Sequence, residues 1–208
     1  MAILDKKNIL SHIDDFSTVE LELGCGERKK ILDAIGVDVL NYPSVDIVGD
    51  VFEVLQAFPA SSVDAIHSFH FFEHISDLSG LLDEVARVLK AGGELEVVVP
   101  HFSNPYFYSD PTHKTFFGLY TFCYFSRNTL FRRQVPTYGR EVQFELVAAE
   151  LAFNSTRPFI VRHGIKKLLG VFFNCCAYMR EFYEENLCYL FPCYEIKYRL
   201  RKTGAARG

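Results

Sequence analysis

Val19-Glu-Leu-Glu-Leu-Gly-Cys-Gly26 decides the fold: a short run rich in branched apolar residues ends at Leu23, and two glycines follow one residue apart. The run reads as a β-strand, and Gly24-Cys25-Gly26 as a sharp turn whose missing Cβ atoms let the backbone come close to a ligand. Working outward, Ala34 to Val39 predicts a second strand and Val45 to Gly49 a short third. Val51 to Phe58 predicts a turn or two of helix, stopped by Pro59. Val63 to Ser68 is a fourth strand. Asp77 is placed to cap a helix with Leu78, Leu81, Leu82, Val85, Val88 and Leu89 on one face; Gly92-Gly93 are expected to end it, and Glu94 to Pro100 to form a fifth strand. Strands alternating with helical stretches predict an α/β fold with a mostly parallel central sheet. Two points strain that reading. Residues 40–44 are too few for a crossover helix, so either that helix is lost or the third strand is irregular. Glu20 falls within a strand whose surroundings favour apolar residues.

Beyond Pro100 the pattern changes. Residues 102–131 hold eleven aromatic residues, which predicts an aromatic-rich lid insertion. Ser126 is placed to cap a short helix reaching Arg133; Val142 to Phe153 reads as a strand and Gly164 to Leu190 as largely helical. Tyr194, Ile196, Tyr198 and Leu200 alternate with Glu195, Lys197, Arg199 and Arg201, the period of an antiparallel C-terminal strand with one wet face. The expected organisation is a single domain over 1–208: a cofactor half over about 18–100, a lid over about 101–140, and C-terminal strands and helices over about 141–208.

Composition narrows the class. A chain of 208 residues that is 49% hydrophobic and 23% charged is neither disordered nor fibrous. Its six cysteines include no C-x-x-C pair, which argues against a zinc ribbon or a redox dithiol. Met1 to Phe16 is charged and lacks a signal sequence's apolar region, and the apolar-leaning stretch Leu168 to Met179 is too short to span a bilayer. A soluble, cytoplasmic protein without stable membrane insertion is expected, although the 164–190 helices could make shallow contact with a membrane, against which Glu181, Glu184 and Glu185 argue. The net charge of −4 divides into −12 over residues 1–113 and +8 over 114–208, so the second half is suited to meet an anion. A sequence pI of about 6.0 disfavours nucleic acid.

The acidic strand ends point to a nucleoside. Asp38, 16 residues past Glu22, ends the second strand, where a carboxylate can accept hydrogen bonds from both ribose hydroxyls; Asp50 ends the third and can reach an adenine amino group. A nicotinamide dinucleotide needs a third glycine, but Glu27, Arg28 and Lys29 follow Gly26, and Glu27 would repel a pyrophosphate.

The pieces E-L-G-C-G (22–26), G-V-D-V (36–39), G-D-V (49–51), V-D-A-I-H-S-F-H-F-F-E-H-I (63–75) and L-L-D-E-V-A-R-V-L-K-A-G-G-E-L (81–95) together resemble class I, Rossmann-like methyltransferases dependent on S-adenosylmethionine. The resemblance covers residues 18–100. It implies that Glu22, Gly24, Cys25 and Gly26 contact the methionine part, that Asp38 and Val39 hold the ribose, that Asp50 and Val51 meet the adenine end, and that Ser68 and Phe69 line the sulfonium side. Arg28 stands where many members carry a third glycine.

The chemistry is expected after the fourth and fifth strands. Five of the seven histidines lie between 67 and 113, and His67 reads as a satisfied, half-buried ring. His70-Phe71-Phe72-Glu73-His74 spells H-x-x-E-H, but a zinc site of that kind needs a continuous helix, so no metal is expected; instead Glu73-His74 should start the helix and order the loop, as E-H does at this point in the resembled family. The stretch His101 to Lys114 supplies two imidazoles, a carboxylate and an ammonium. His113 or His101 is the expected base, with Asp110 orienting the imidazole or binding the acceptor. D-P-T-H-K resembles small bacterial methyltransferases of surface-glycan and sugar-nucleotide pathways. A small-molecule or glycan acceptor, with or without phosphate, is therefore expected. It would meet His70, Lys114 and the rings of Tyr106, Tyr108 and Tyr120, with Arg132 and Arg133 for a phosphate. A homodimer is left open. The competing readings are a nicotinamide-nucleotide oxidoreductase and a nucleoside-binding protein without catalysis.

Overall fold

The computed structural model describes residues 3–155 and 158–204. In chain order it contains β1 (Leu4–Asp5), β2 (Glu20–Leu23), β3 (Ile35–Asp38), β4 (Ile47–Val48), α1 (Val51–Ala57), β5 (Val63–Phe69), α2 (Leu78–Val88), β6 (Leu89–Pro100), β7 (Ser126–Arg127), β8 (Phe144–Ala152), α3 (Ile160–Phe173), α4 (Ala177–Asn186) and β9 (Glu195–Lys202). Among the described residues the strands form one sheet in the order β1-β4-β3-β2-β5-β6-β9-β8-β7. The central run from β4 to β6 is parallel, and β9 lies antiparallel between β6 and β8. This is the expected α/β, Rossmann-like arrangement with an antiparallel C-terminal strand. Strand order reverses between β3-β2 and β5-β6, so the loops leaving β2 and β5 diverge and open a crevice at their carboxyl ends.

Leu21, Leu23, Ile35, Val37, Ile66, Leu95 and Val97 are buried, as a covered parallel sheet requires. Glu20 is accommodated because it only begins β2: His67 lies between it and Glu96, with Nε2 3.4 Å and Nδ1 3.0 Å from their carboxylates. No helix joins β2 to β3 or β3 to β4. Side chains do that work instead. The Glu22 carboxylate accepts from the backbone N–H of Lys30 and Ile31, and Asp46 accepts from the Gly36 N–H while pairing with Lys7 at 2.6 Å and Lys29 at 2.9 Å. Both alternatives left open for residues 40–44 hold, since β4 is also only two residues long.

Three local expectations are corrected. Glu73-His74 do not start α2 but lie in a separate single turn, Phe72–His74, ahead of the Asp77 cap. Helix α2, capped by Asp77 through the Gly80 N–H at 2.9 Å, stops at Val88, and Leu89 already begins β6. Gly92-Gly93 belong to a bulge against β5, where a Cβ on Gly93 would meet the Asp64 carbonyl oxygen at 2.9 Å. Ser126 caps no helix: its hydroxyl donates to the Phe122 carbonyl and the chain enters β7 alongside β8. As expected, the 164–190 stretch is largely helical, in two helices separated where Asn174 leaves α3 to exchange hydrogen bonds with both backbone groups of Leu151 on β8. The aromatic insertion is divided: Phe107, Phe117, Phe122 and Phe131 are core, while Tyr106, Tyr108 and Phe116 are exposed. Among the described residues no helix is long and apolar enough to cross a membrane. Glu181 and Glu184, expected to keep α4 wet, instead bind the insertion, through the Tyr120 hydroxyl and the Leu119 N–H respectively.

Candidate functional site

The turn after β2 is built as its residues demand. Gly24 and Gly26 have φ of 68° and 59°, the left-handed region where a side chain is strained. The Gly24 N–H donates to the Val37 carbonyl at 2.8 Å and the Gly26 N–H to Asp38 Oδ2 at 2.9 Å, so β3 holds the turn in place. A Cβ on Gly24 would lie 2.5 Å from carbons of the Phe71 side chain, so that ring, from the loop after β5, closes over the turn.

The expected cofactor residues separate into two groups. Asp38 and Val39 end β3 at the crevice; Asp38 Oδ1 also accepts from the Leu40 N–H at 2.8 Å, and Val39 is 53% exposed. Asp50 is exposed and caps α1 through Oδ1, accepting from Phe52 at 2.9 Å. Phe69 lies under the Lys30 ammonium at 4.6 Å. Glu22, Cys25, Val51 and Ser68 are buried. The Glu22 carboxylate is spent on the loop backbone, Ser68 Oγ reaches the Leu23 carbonyl, and burial beside Asp38 and Glu22 pushes the Cys25 thiol up to about 12. These four shape the crevice from beneath. The left-handed glycines, the acid at the end of β3 and the second acid at the start of α1 form a donor set that suits a neutral adenosine with a cationic tail. No phosphate-binding helix N-terminus follows the turn.

Around the loops after β5 and β6 the histidines take different parts. His70, at φ 57°, has Nε2 3.2 Å from Glu195 and Nδ1 3.5 Å from Glu73. These two carboxylates hold its pKa up at about 9 against burial, so it is an imidazolium at neutral pH and not a base. Its left-handed backbone also breaks the helix that H-x-x-E-H would need. His74, from the single turn Phe72–His74, meets His113 edge-on with ring centres 4.9 Å apart. One ligand-type atom each from Glu73, His74 and His113 lie within 4.8 Å of one another. His113 Nδ1 is 2.9 Å from the Phe107 carbonyl, and its Nε2 is 3.7 Å from Asp110 Oδ2. Hydrogen bonds from Thr112 hold the Asp110 carboxyl below its ordinary value.

His101 is corrected. It is 0% exposed, its Nδ1 contacting Ser103 and its Nε2 lying 3.1 Å from Glu184. It ties β6 to α4 inside the core and faces no crevice, because residue 101 still follows the register of β6. The expected acceptor residues are likewise scattered. Lys114 is exposed and its backbone N–H donates to the Glu73 carbonyl at 2.7 Å. Tyr108 donates its hydroxyl to the Phe102 carbonyl. Arg132 and Arg133 line a cavity of about 780 Å³, whereas Tyr106 lines another of about 460 Å³ that shares no residue with it. Glu181, Glu184 and Glu185 line the first cavity too, so it is no anion pocket. Tyr120, whose hydroxyl donates to Glu181, also lines it. Phe71 and Glu195, which touch the glycine turn and His70, carried no local signal as contact or charge partner; Glu195 comes from a strand more than a hundred residues away in sequence.

A protein-family description, methyltransferase domain, matches residues 21–97. No curated protein sequence matches the chain. Among solved structures, an S-adenosylmethionine-dependent methyltransferase from Archaeoglobus fulgidus superposes with a TM-score of 0.57 at 17% identity, covering 94% of this chain and 91% of that one. The YcgJ protein of Bacillus subtilis gives 0.53 at 18% identity, with 93% and 97% covered. A Haemonchus contortus phosphoethanolamine N-methyltransferase, in complex with phosphomonomethylethanolamine and S-adenosylhomocysteine, gives 0.51 at 16% identity; 94% of this chain covers 51% of that enzyme. At these identities the structures speak for the fold, and the matched segment for the activity. The fold is that of class I, Rossmann-like methyltransferases, and the matched segment supports a transferase that uses S-adenosylmethionine.

Proposed function

We propose that this enzyme methylates a hydroxyl, less readily an amine, of a small acceptor such as a sugar or sugar nucleotide, in the cytoplasm. The observation that carries the reading is the junction of two loops. The glycine turn, with Asp38 on its rim, lies under Phe71, and two residues on the same loop brings in Glu73 and His74, where His113 and Asp110 join them. When bound, S-adenosylmethionine supplies a methyl group on a sulfonium, already activated for departure. The chain's own residues must hold an acceptor oxygen and take its proton. With Nδ1–H donated to Phe107, His113 presents Nε2 as a free acceptor, and Asp110 is placed to steady the imidazolium that results. His113 is thus the proposed catalytic base. Asp38, Val39, Asp50 and Phe69, with the glycine turn, are the proposed cofactor contacts, and Tyr108, His70 and Lys114 the proposed rim for the acceptor. Tyr106, Arg132 and Arg133 lie in separate cavities, so a phosphate-bearing carrier finds less support than a neutral hydroxyl.

Calorimetry with S-adenosylhomocysteine, followed by methyl transfer to a panel of sugars, sugar nucleotides and small alcohols, tests both halves. Absence of S-adenosylhomocysteine binding would overturn the whole reading. Binding with transfer only to amines would overturn the acceptor.

A further inference from the structure

We propose that Glu73, His74 and His113 form a binding site for a divalent transition-metal ion, with Asp110 at its open edge, and that the ion takes the acceptor's hydroxyl oxygen as a further ligand. The inference keeps the methyl-transfer reading but changes the part of His113 in it from base to metal ligand; that the ion binds does not depend on that reading.

The first argument is convergence. Glu73 and His74 are neighbours on the turn after β5, and His113 comes from the loop after β6. Backbone hydrogen bonds from Lys114 at 2.7 Å and Thr115 at 3.1 Å to the Glu73 carbonyl pin the second loop to the first. This brings one ligand-type atom from each of the three within 4.8 Å of the others.

The second argument is an orphan. Glu73 is 1% exposed, and its Oε2 is buried without a hydrogen-bond partner. A buried carboxylate oxygen left unpaired is costly, and such groups are paired or bound to metal. The other oxygen, Oε1, has only His70 Nδ1 at 3.5 Å.

The third argument is that both imidazoles are already oriented as ligands. His113 Nδ1 is 2.9 Å from the Phe107 carbonyl, which can only accept, so the proton sits on Nδ1 and Nε2 keeps its lone pair. His74 Nδ1 meets Thr112 Oγ1 at 2.9 Å, and that hydroxyl donates its own proton to Asp110 Oδ1 at 2.6 Å. Thr112 must therefore accept from His74, which again leaves Nε2 free. Outer hydrogen bonds of this kind fix the tautomer of metal-bound histidines. Two imidazoles and one carboxylate suit zinc, manganese, iron or cobalt, and leave positions open for outside oxygens. Asp110 Oδ2, 3.7 Å from His113 Nε2 on an exposed residue, stands at that open side.

With the ion in place, His113 Nε2 is a ligand and no longer takes a proton. An acceptor hydroxyl coordinated to the ion becomes more acidic. Its O–H bond breaks with the electron pair left on oxygen, and the proton passes to water. That pair then forms the bond to the methyl carbon as the carbon–sulfur bond breaks and its pair goes to sulfur.

The test uses the full chain treated with EDTA and dialysed. Zn²⁺, Co²⁺ and Mn²⁺ are titrated by calorimetry, and Co²⁺ also by its visible absorption. One equivalent is expected to bind with a Co²⁺ band near neutral pH. His74→Ala and His113→Ala should each weaken binding at least tenfold and remove the band. Thr112→Val, which frees the His74 ring and also removes the hydroxyl's bond to Asp110, should weaken it roughly tenfold. Because Glu73→Gln removes a buried group and can fail to fold, the two histidine variants, checked by circular dichroism, decide the matter. No binding of any of the three ions, or binding that survives in the His74→Ala/His113→Ala double variant, overturns the site. S-adenosylhomocysteine affinity in the same samples separates this outcome from failure of the methyl-transfer reading: lost cofactor binding with retained metal would sink the latter alone.

Discussion

Asp38 Oδ2 accepts the Gly26 N–H at 2.9 Å, so the acid ending β3 and the second glycine of the turn after β2 are one mechanical unit. A carboxylate so placed shapes the crevice and keeps lone pairs free for the ribose of the proposed function. Asp38→Ala should weaken S-adenosylhomocysteine binding by roughly 1.5–3 kcal/mol, the range for a hydrogen bond to a charged group. An unaltered dissociation constant in calorimetry would mean that another residue holds the nucleoside.

Gly24 and Phe71 should be coupled. Gly24→Ala places a methyl 2.5 Å from the Phe71 side chain at a φ of 68°, so both steric and backbone strain oppose it. Loss of roughly 1–3 kcal/mol in chemical unfolding is expected. Adding Phe71→Ala should return the steric part, a non-additivity that a double-mutant cycle reads directly. Gly26→Ala meets nothing within 4 Å and should cost only its backbone share.

His101 and His113 should behave oppositely. His101→Ala removes a buried partner of Ser103 and Glu184, and should cost roughly 1–3 kcal/mol, seen as a thermal midpoint several degrees lower. Turnover per folded molecule should change little. His113→Ala should lower turnover with cofactor affinity kept. A His101 variant of wild-type stability but without turnover would reverse this assignment.

Acid should loosen the edge of the sheet through Asp46. Burial alone would raise its pKa, but hydrogen bonds from Lys7, the Gly36 N–H and Lys29 win and hold it below the ordinary 3.8. A depressed folded-state pKa stabilises above the unfolded value, and that contribution is lost as pH falls through the folded one. Stability should therefore fall below about pH 4 more steeply in the wild type than in Asp46→Asn. At pH 7 the variant should be weaker by about 3 kcal/mol, the low end for a broken buried pair because Lys7 is 66% exposed. Parallel acid titrations followed by circular dichroism would show the two slopes.

Thiol reactivity should follow burial. Cys175 and Cys176 are exposed, while Cys25, Cys123, Cys188 and Cys193 are buried. Burial pushes both Cys25 and Cys123 up to about 12, so neither offers thiolate at pH 8. Ellman's reagent should find two fast thiols in the native protein and six after denaturation. Fast labelling of Cys25 would show that the turn opens in solution.

The parallel core, the capping of α2 by Asp77 and the alternation of β9 were all legible in the chain. So was the crevice: the glycines and Asp38 sit at strand ends that hydrophobic runs mark. These features rest on local rules, because strand and helix periods, caps and left-handed glycines are properties of a few consecutive residues. Where a local rule erred, a distant partner had intervened. Gly92-Gly93 serve a bulge because β5 lies alongside, and Ser126 enters a strand because β8 is there to pair with.

Residue types and spacing by themselves determined the class of fold, the crevice proposed for the cofactor and the set of candidate side chains. Only the tertiary structure decided which histidine is core, which is charged and which two meet a buried carboxylate. Those outcomes depend on groups far apart in the chain: Glu184 takes His101, Glu195 takes His70, and the Glu73 carbonyl draws in the loop bearing His113. An imidazole's protonation and role are set by what lies within a few ångströms of its nitrogens, and that neighbourhood exists only once the strands have paired.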